Sequence, residues 1–137
     1  MAVSQDAIDI LCEVFPDRIE DVLDTQSYIS YTVYDEDEYP VGAVIYSINV
    51  MEKTHLQYVF VHWIGVRYRG IGIGTKLLDY LHQQYPQYWF SLMTEKSNTN
   101  AIKFYRKMGY FITGLCKDAP IFWHLQRVPT TGDKHVR

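Results

Sequence analysis

Apolar side chains recur at the spacing of an α-helix in four parts of the chain. The pattern predicts helices over residues 5–14, 18–23, 73–85 and 98–109. Ser4 stands where the first helix needs an N-cap, and Pro86 ends the third helix. Gly109 follows the fourth helix and is a natural C-cap.

The segments between these helices are rich in β-branched and aromatic residues, which is typical of strands. They predict strands over residues 27–35, 41–50, 55–66, 88–94, 110–116 and 121–126. Short turns join the first three strands, so we expect an antiparallel meander. A helix connects the third strand to the fourth, which predicts a parallel crossover, and the last two strands predict a closing hairpin.

These elements predict one α/β (α+β) domain over residues 1–126, followed by a polar tail over residues 127–137. Hydrophobic residues make up 47% of the 137 residues, enough for a real core, and no apolar run reaches the length of a membrane span. The N-terminus carries acids where an export signal needs bases, and the two cysteines form no CxxC pair. We therefore expect a cytoplasmic protein with reduced thiols that does not associate with membranes.

The two halves of the chain differ in charge, although the net charge is only −3. Residues 1–65 hold 12 acidic and two basic residues, whereas residues 66–137 hold four acidic and 11 basic residues. Any one of these charges is best interpreted as part of a solvated surface. Their segregation predicts one side that binds an anion and another that tolerates a cation.

A glycine-rich stretch, RYRGIGIGTKLL over residues 67–78, lies between the third strand and the third helix. The GxGxxG pattern of dinucleotide-binding folds fails, because its third glycine falls on Thr75 or Leu77. The GxxxxGK[ST] pattern fails at the same two positions. The form [RQ]xxGx[GA] matches fully at the glycine repeat, and a plain strand-to-helix turn is the alternative interpretation.

The residues of this stretch suit a phosphate cradle. Gly72 and Gly74 lack the Cβ atoms that would keep phosphate oxygens from the backbone. The following helix adds the positive end of its dipole, and Arg67 and Arg69 are in position to add charge-assisted hydrogen bonds.

A second motif lies further along, where residues 98–110 read NTNAIKFYRKMGY and fit the form NxxAxxxYxxxGF with Tyr110 for the usual Phe. With both motifs in this order, residues 27–126 resemble the GNAT superfamily of N-acetyltransferases. The resemblance implies a mixed, mostly antiparallel, twisted sheet with helices on both faces. The family usually opens with a strand before its first helix, and here that strand is missing or reduced to Ala2 and Val3.

The resemblance further implies that acetyl-CoA donates its acetyl group directly to an amine, with no metal. Tyr105 matches the tyrosine that acts as general acid on the leaving thiolate, and Asn98 either contacts the cofactor arm or caps its helix. Backbone groups at the end of the third strand hold the pantetheine arm, and Gly65 fits a bulge or a close approach there. The predicted acetyl-CoA-binding residues are Ile64, Gly65, Val66, Arg67, Arg69, Gly70, Ile71, Gly72, Ile73, Gly74, Thr75, Asn98 and Tyr105.

The general base is not fixed by the resemblance. Family members often carry Glu or His at the position of Phe60, which cannot titrate. His62 lies two residues further along the same strand and has a suitable pKa, although a packing role is the alternative. A water chain to solvent, or to Glu95, is a further alternative.

The acceptor is predicted from charge alone. The segment that lines the acceptor side in this family is acidic here, with Asp17, Glu20, Asp21 and Asp24, so a cationic amine such as a polyamine or a protein lysine fits best. A homodimer stays open. One alternative is an acetyl-CoA-binding sensor or interaction module with weak or no catalysis, and another is a nucleic-acid-binding module. The pI of 5.9 argues against nucleic acid as a partner.

Overall fold

The computed structural model describes residues 3–130 of the chain. All the predicted helices and strands are present, and a 3₁₀ turn at Pro16–Arg18 precedes the second helix. In chain order the elements are α1 (Gln5–Val14), α2 (Ile19–Leu23), β1 (Ile29–Tyr34), β2 (Pro40–Val50), β3 (Gln57–Val66), α3 (Ile73–Gln84), β4 (Trp89–Glu95), α4 (Thr99–Lys107), β5 (Phe111–Cys116) and β6 (Ala119–Arg127).

The six strands form one sheet in the order β1-β2-β3-β4-β6-β5. β1 pairs antiparallel with β2, and β6 pairs antiparallel with both β4 and β5. β3 and β4 are parallel, as the helical crossover between them requires. The prediction of a mixed, mostly antiparallel sheet is therefore confirmed.

The start of the chain differs from the usual family pattern, as expected. Within the described residues no strand precedes α1, and β1 stands at one edge of the sheet. The Val3 N–H donates to the carbonyl of Gln26 at 2.9 Å, outside any strand. Ala2, the other residue of the proposed short strand, lies outside the described residues.

One compact unit comprises Met1–Ser47 and Val61–Gln84. α1 supplies four of the seven residues of one core cluster in this unit, because the apolar face of this helix is almost fully buried against α2 and β2. The residues of this cluster are Ala7, Ile8, Ile10, Leu11, Val22, Ala43 and Ile45. The Ser4 hydroxyl accepts the Ala7 N–H at 3.2 Å, which confirms the predicted N-cap.

α3 approaches β2 closely in the same unit. A Cβ atom on Gly42 would lie 2.5 Å from the Cγ2 atom of Ile73 and 3.2 Å from Leu77, so only glycine permits this approach. The apolar face of α3 is buried through Ile73, Leu77, Leu78 and Leu81. The end of the glycine stretch is thereby anchored at the first residue of the helix.

The second compact unit comprises Ile48–Phe60 and Tyr85–Arg137. Its buried residues include Phe90, Leu92, Tyr105, Tyr110 and Leu125. α4 ends in a left-handed glycine, Gly109 with φ +97°, and the carbonyl of Tyr105 accepts the N–H groups of Met108 and Tyr110 at 3.0 Å.

The end of the chain is only partly described. β6 continues to Arg127, and the Thr130 N–H donates to the carbonyl of Pro86 at 2.8 Å. Residues 131–137, the rest of the predicted polar tail, lie outside the described residues. None of the helices within residues 3–130 has the length and apolar character that crossing a membrane requires.

Candidate active site

The glycine stretch adopts a backbone that requires glycine. Gly70 and Gly72 have φ angles of +81° and +83°, in the left-handed region that side chains disfavour. A Cβ atom at either position would meet nothing within 4 Å, so the backbone conformation and not packing demands glycine here. Left-handed residues on both sides of Ile71 are typical of an anion-binding nest, in which successive N–H groups turn toward one concavity.

α3 begins directly after this nest, at Ile73. The Lys76 N–H of this helix donates to the carbonyl of Gly72 in the loop, at 3.1 Å. The N–H groups of Ile73, Gly74 and Thr75 therefore have no intrahelical partner, since they belong to the first turn of the helix. The nest and the helix N-terminus together offer N–H groups that suit an anion.

The end of β3, where Ile64, Gly65 and Val66 lie, leads into this loop. A Cβ atom on Gly65 would lie 3.0 Å from the Cδ2 atom of Leu11, so α1 packs directly on the strand backbone. Further back on β3, the His62 ring stacks on Tyr28, and the Trp63 ring contacts Phe15. Tyr28 and Phe15 both pack against the core cluster that α1 and α2 form with β2.

The two arginines of the loop differ in environment. Arg67 donates two hydrogen bonds to the Glu13 carboxylate, at 2.8 and 2.9 Å, and this pairing raises the pKa of Arg67. Its backbone N–H donates to the carbonyl of Val41 at 2.8 Å. Arg69 is exposed. Of the two predicted phosphate contacts, Arg69 is the one that needs no rearrangement of an ion pair.

His62, the predicted base, is half-buried beside β2. Its Nε2 atom lies 2.8 Å from the Ser47 hydroxyl, and its ring stacks on Tyr28 with centroids 4.4 Å apart. Burial lowers the pKa of His62, so the ring is neutral at pH 7. These contacts fit a base and a packing residue equally well.

Asn98 and Tyr105 belong to the second unit. The Asn98 side-chain oxygen accepts the Ala101 N–H at 3.2 Å, so this residue caps α4. Tyr105 is only 8% exposed and packs on Phe104 and Tyr110. Burial raises the pKa of Tyr105 to about 12, so its hydroxyl stays protonated throughout the physiological range.

A groove of about 860 Å³ on the sheet of the second unit was not predicted. Phe60, Ser91, Met93, Leu115 and His124 are among its lining residues. The His124 Nε2 atom lies 2.5 Å from the Ser91 hydroxyl. Ser91 and His124 come together because β6 lies between β4 and β5 in the sheet. No local pattern in the sequence indicates that β6 takes this place.

Glu95 and a smaller hollow do not belong to this groove. Glu95, the alternative base, is exposed at the end of β4 and accepts a hydrogen bond from Ser97 at 3.4 Å. A smaller hollow of about 510 Å³ between β1 and α3 is lined by none of the predicted site residues. Across the described part of the chain, no three His, Cys, Asp or Glu side chains cluster so as to hold a metal ion.

A mixed sheet that leads through a glycine nest into a helix N-terminus defines an α+β domain whose loop geometry suits an anionic ligand. A sequence profile of the acetyltransferase (GNAT) family matches residues 4–110. The chain belongs to this family.

Solved structures with this fold cover most of the chain. Chaetomium thermophilum Naa20 in complex with a bisubstrate analogue is 15% identical, with a TM-score of 0.74, over 98% of this chain and 88% of that one. Arabidopsis thaliana Naa50 in complex with the bisubstrate analogue CoA-Ac-MVNAL is 25% identical, with a TM-score of 0.62, over 84% and 79%. The NatC complex bound to Gag peptide and CoA is 16% identical, with a TM-score of 0.70, over 93% of each chain. A sequence search of curated proteins finds no significant match.

Proposed function

We propose that the protein is an acetyl-CoA-dependent N-acetyltransferase in which a primary amine attacks the thioester directly. The observation that carries this proposal is the left-handed backbone at Gly70 and Gly72, which leads into the N-terminus of α3. This geometry suits a pyrophosphate, and it occurs in the segment that matches the family motif. Solved structures of the same fold contain CoA or CoA-containing analogues, which supports the same donor here.

The donor is held mainly by backbone groups in this proposal. The N–H groups of residues 70–75 bind the pyrophosphate, and Arg69 adds a charge-assisted hydrogen bond. The end of β3, Ile64 to Val66, holds the pantetheine arm. Arg67 contributes only if it leaves Glu13, and Asn98 contributes only through the part of its amide that does not cap α4.

Tyr105 assists the leaving group in this proposal. A thiol has an ordinary pKa near 8.5, so its thiolate is a weaker base than a phenolate whose conjugate acid has a pKa of about 12. The hydroxyl is therefore better matched to hydrogen-bonding the developing thiolate than to giving up its proton completely. This contact stabilises negative charge that exists only as the C–S bond breaks.

The acceptor proposed here is a cationic amine. Asp17, Glu20 and Asp24 are exposed on the segment that connects α1 to β1, whereas Asp21 is paired with Arg18 at 2.6 Å. The unpaired carboxylates favour a protonated amine such as a polyamine or a lysine side chain over an anionic amino acid.

The test is release of free CoA thiol from acetyl-CoA in the presence of spermidine, a lysine-containing peptide or aspartate. We expect turnover with the first two and little with aspartate. Preference for aspartate would contradict the cationic acceptor but leave the transferase activity standing.

A second candidate function follows from Phe60, a side chain that cannot titrate at the position where the resemblance places a base. In that case the domain binds acetyl-CoA without transferring the acetyl group. Calorimetry distinguishes the two functions, since tight acetyl-CoA binding without transfer to any amine favours the binding module.

A further inference from the structure

We infer that the groove of the second unit holds the acceptor amine and that His124, bonded to Ser91, is the proton acceptor of the acetyl-transfer reaction. This inference rests on the proposed function. It supplies the base that the transfer requires and that Phe60 cannot provide. Neither His62 nor Glu95, the two candidates from the sequence, lines this groove.

The strand register places the pair beside the expected position of the base. Phe60 of β3 is the Cα partner of Ser91 in β4, and Met93 is the partner of His124 in β6. Phe60, Ser91 and His124 all line the same groove. The imidazole therefore lies across β4 from the position at which the resemblance expects a titrating side chain.

Both ring nitrogens of His124 lie within hydrogen-bonding distance of a hydroxyl group, and one assignment of the protons leaves Nε2 free to act as a base. The Thr113 hydroxyl donates to the backbone carbonyl of His124 at 3.1 Å, which uses its single proton. With its proton used in this way, the same hydroxyl oxygen accepts the Nδ1–H group of His124 at 2.9 Å. Nε2 then carries a lone pair and accepts the Ser91 hydroxyl at 2.5 Å. A neutral imidazole with its lone pair on a hydroxyl is the arrangement of a general base.

A β-bulge holds Thr113 in this position. Ile112 pairs with Leu125 and Gly114 pairs with His124, so Thr113 is an extra residue without a partner in β6. Gly114 has φ +151°, a conformation that glycine accommodates. The bulge turns the Thr113 hydroxyl toward the imidazole, which a regular pairing of β5 and β6 would not do.

The groove suits an ammonium group attached to an apolar chain. Met93 and Leu115 are 46% and 50% exposed there, which leaves apolar surface for the acceptor to cover. The other titratable side chains that line the groove are Glu52, Tyr58, Cys116, Lys117 and Asp118. The two carboxylates outweigh the one lysine, so the groove favours a cation. Burial lowers the pKa of His124, so its ring is neutral at pH 7 and able to accept a proton from the bound amine.

The acceptor nitrogen loses two protons during the transfer. The ammonium group of the acceptor gives one proton, through the Ser91 hydroxyl, to the Nε2 atom of His124. The neutral amine forms the C–N bond, the C–S bond breaks, and the thiolate takes the second proton that the nitrogen loses. The products are the acetylated amine, CoA thiol and an imidazolium that returns its proton to water.

The experiment is the pH profile of kcat/KM for acetylation of spermidine in the wild-type protein, His124→Gln and His62→Gln. In the wild type we expect an acidic limb below pH 6.5, because the limb reports a histidine whose pKa is lowered. His124→Gln preserves a hydrogen-bonding side chain but cannot take up the proton. We expect this variant to lose about 10²–10⁴-fold in kcat/KM at pH 7, with activity recovering as the pH approaches the pKa of the free amine.

His55→Asn is the matched control, since His55 is exposed in the turn before β3 and does not line the groove. Asn tolerates the φ angle of +58° at this position, so the profile of this variant should equal that of the wild type. CoA calorimetry of each variant shows whether donor binding survives. An acidic limb that persists in His124→Gln but disappears in His62→Gln would overturn the assignment to His124.

A second measurement needs no substitution. The midpoint of the acidic limb in the wild type should coincide with the midpoint of the His124 ring signals in an NMR titration. A clear separation of the two midpoints would overturn the inference. A wild-type protein that binds acetyl-CoA but acetylates no amine would instead defeat the proposed function itself.

Discussion

Replacing Gly72 by Glu or Gln separates the charge of the nest from its backbone conformation. Both side chains impose the same strain, because a non-glycine residue at φ +83° costs about 1–2 kcal/mol. The smaller entropy of the unfolded chain offsets about 0.4–1 kcal/mol of this cost. No atom lies within 4 Å of the added Cβ, so no steric cost is expected. Each variant should therefore lose about 1 kcal/mol of stability and about 3–5 °C in Tm.

The carboxylate of Gly72→Glu adds repulsion that Gly72→Gln lacks. At about 5 Å from a bound phosphate, with an effective dielectric constant of about 20, this repulsion amounts to about 3 kcal/mol, and solvent reduces it to about 1.5–3 kcal/mol. CoA should therefore bind Gly72→Glu about 10–150-fold more weakly than Gly72→Gln.

Calorimetry with CoA, together with thermal unfolding of both variants, measures these two effects separately. The loss in CoA affinity should shrink at high salt, since it is electrostatic. Equal CoA affinity in the two variants, with equal Tm values, would show that the pyrophosphate does not bind at the glycine nest.

Substitutions at three further positions test the site and the fold. Tyr105→Phe should lower kcat about 100-fold while CoA binding is retained, because only the contact to the leaving thiolate is lost; an unchanged kcat would remove Tyr105 from the reaction. Gly109→Ala should destabilise the protein by about 1–2 kcal/mol in urea unfolding, because φ is +97° and the new Cβ would lie 3.1 Å from the Arg127 Nε atom; equal stability would contradict the left-handed C-cap. Ser4→Ala should cost about 1 kcal/mol through loss of the α1 cap, and Ser4→Asp should restore that stability if capping is the cause.

The sequence predicted the local elements well because each carries its own signal. Ser4 and Gly109 mark helix ends by capping, and Pro86 excludes further helix. The glycine repeat was recognisable for the same reason, since left-handed backbone at Gly70 and Gly72 is a local property.

The unpredicted features all depend on contacts between distant parts of the chain. Glu13 and Arg67 are 54 residues apart, and no local pattern indicates their ion pair. Ser91 and His124 meet only because β6 lies between β4 and β5, whereas a hairpin pattern does not specify which strand of the pair joins the sheet. The resemblance therefore placed the candidate base on β3, with Glu95 of β4 as an alternative, and gave no signal for His124.

The proposed activity of this chain is the transfer of an acetyl group from acetyl-CoA to an amine. Its most direct test is mass spectrometry of spermidine and a lysine-containing peptide after incubation with the protein and acetyl-CoA labelled with ¹³C in the acetyl group. We expect a labelled acetyl group on the nitrogen of the acceptor, in amounts equal to the free CoA thiol released. Binding of acetyl-CoA with no labelled amine in either acceptor, or in a wider panel of amines, would contradict it.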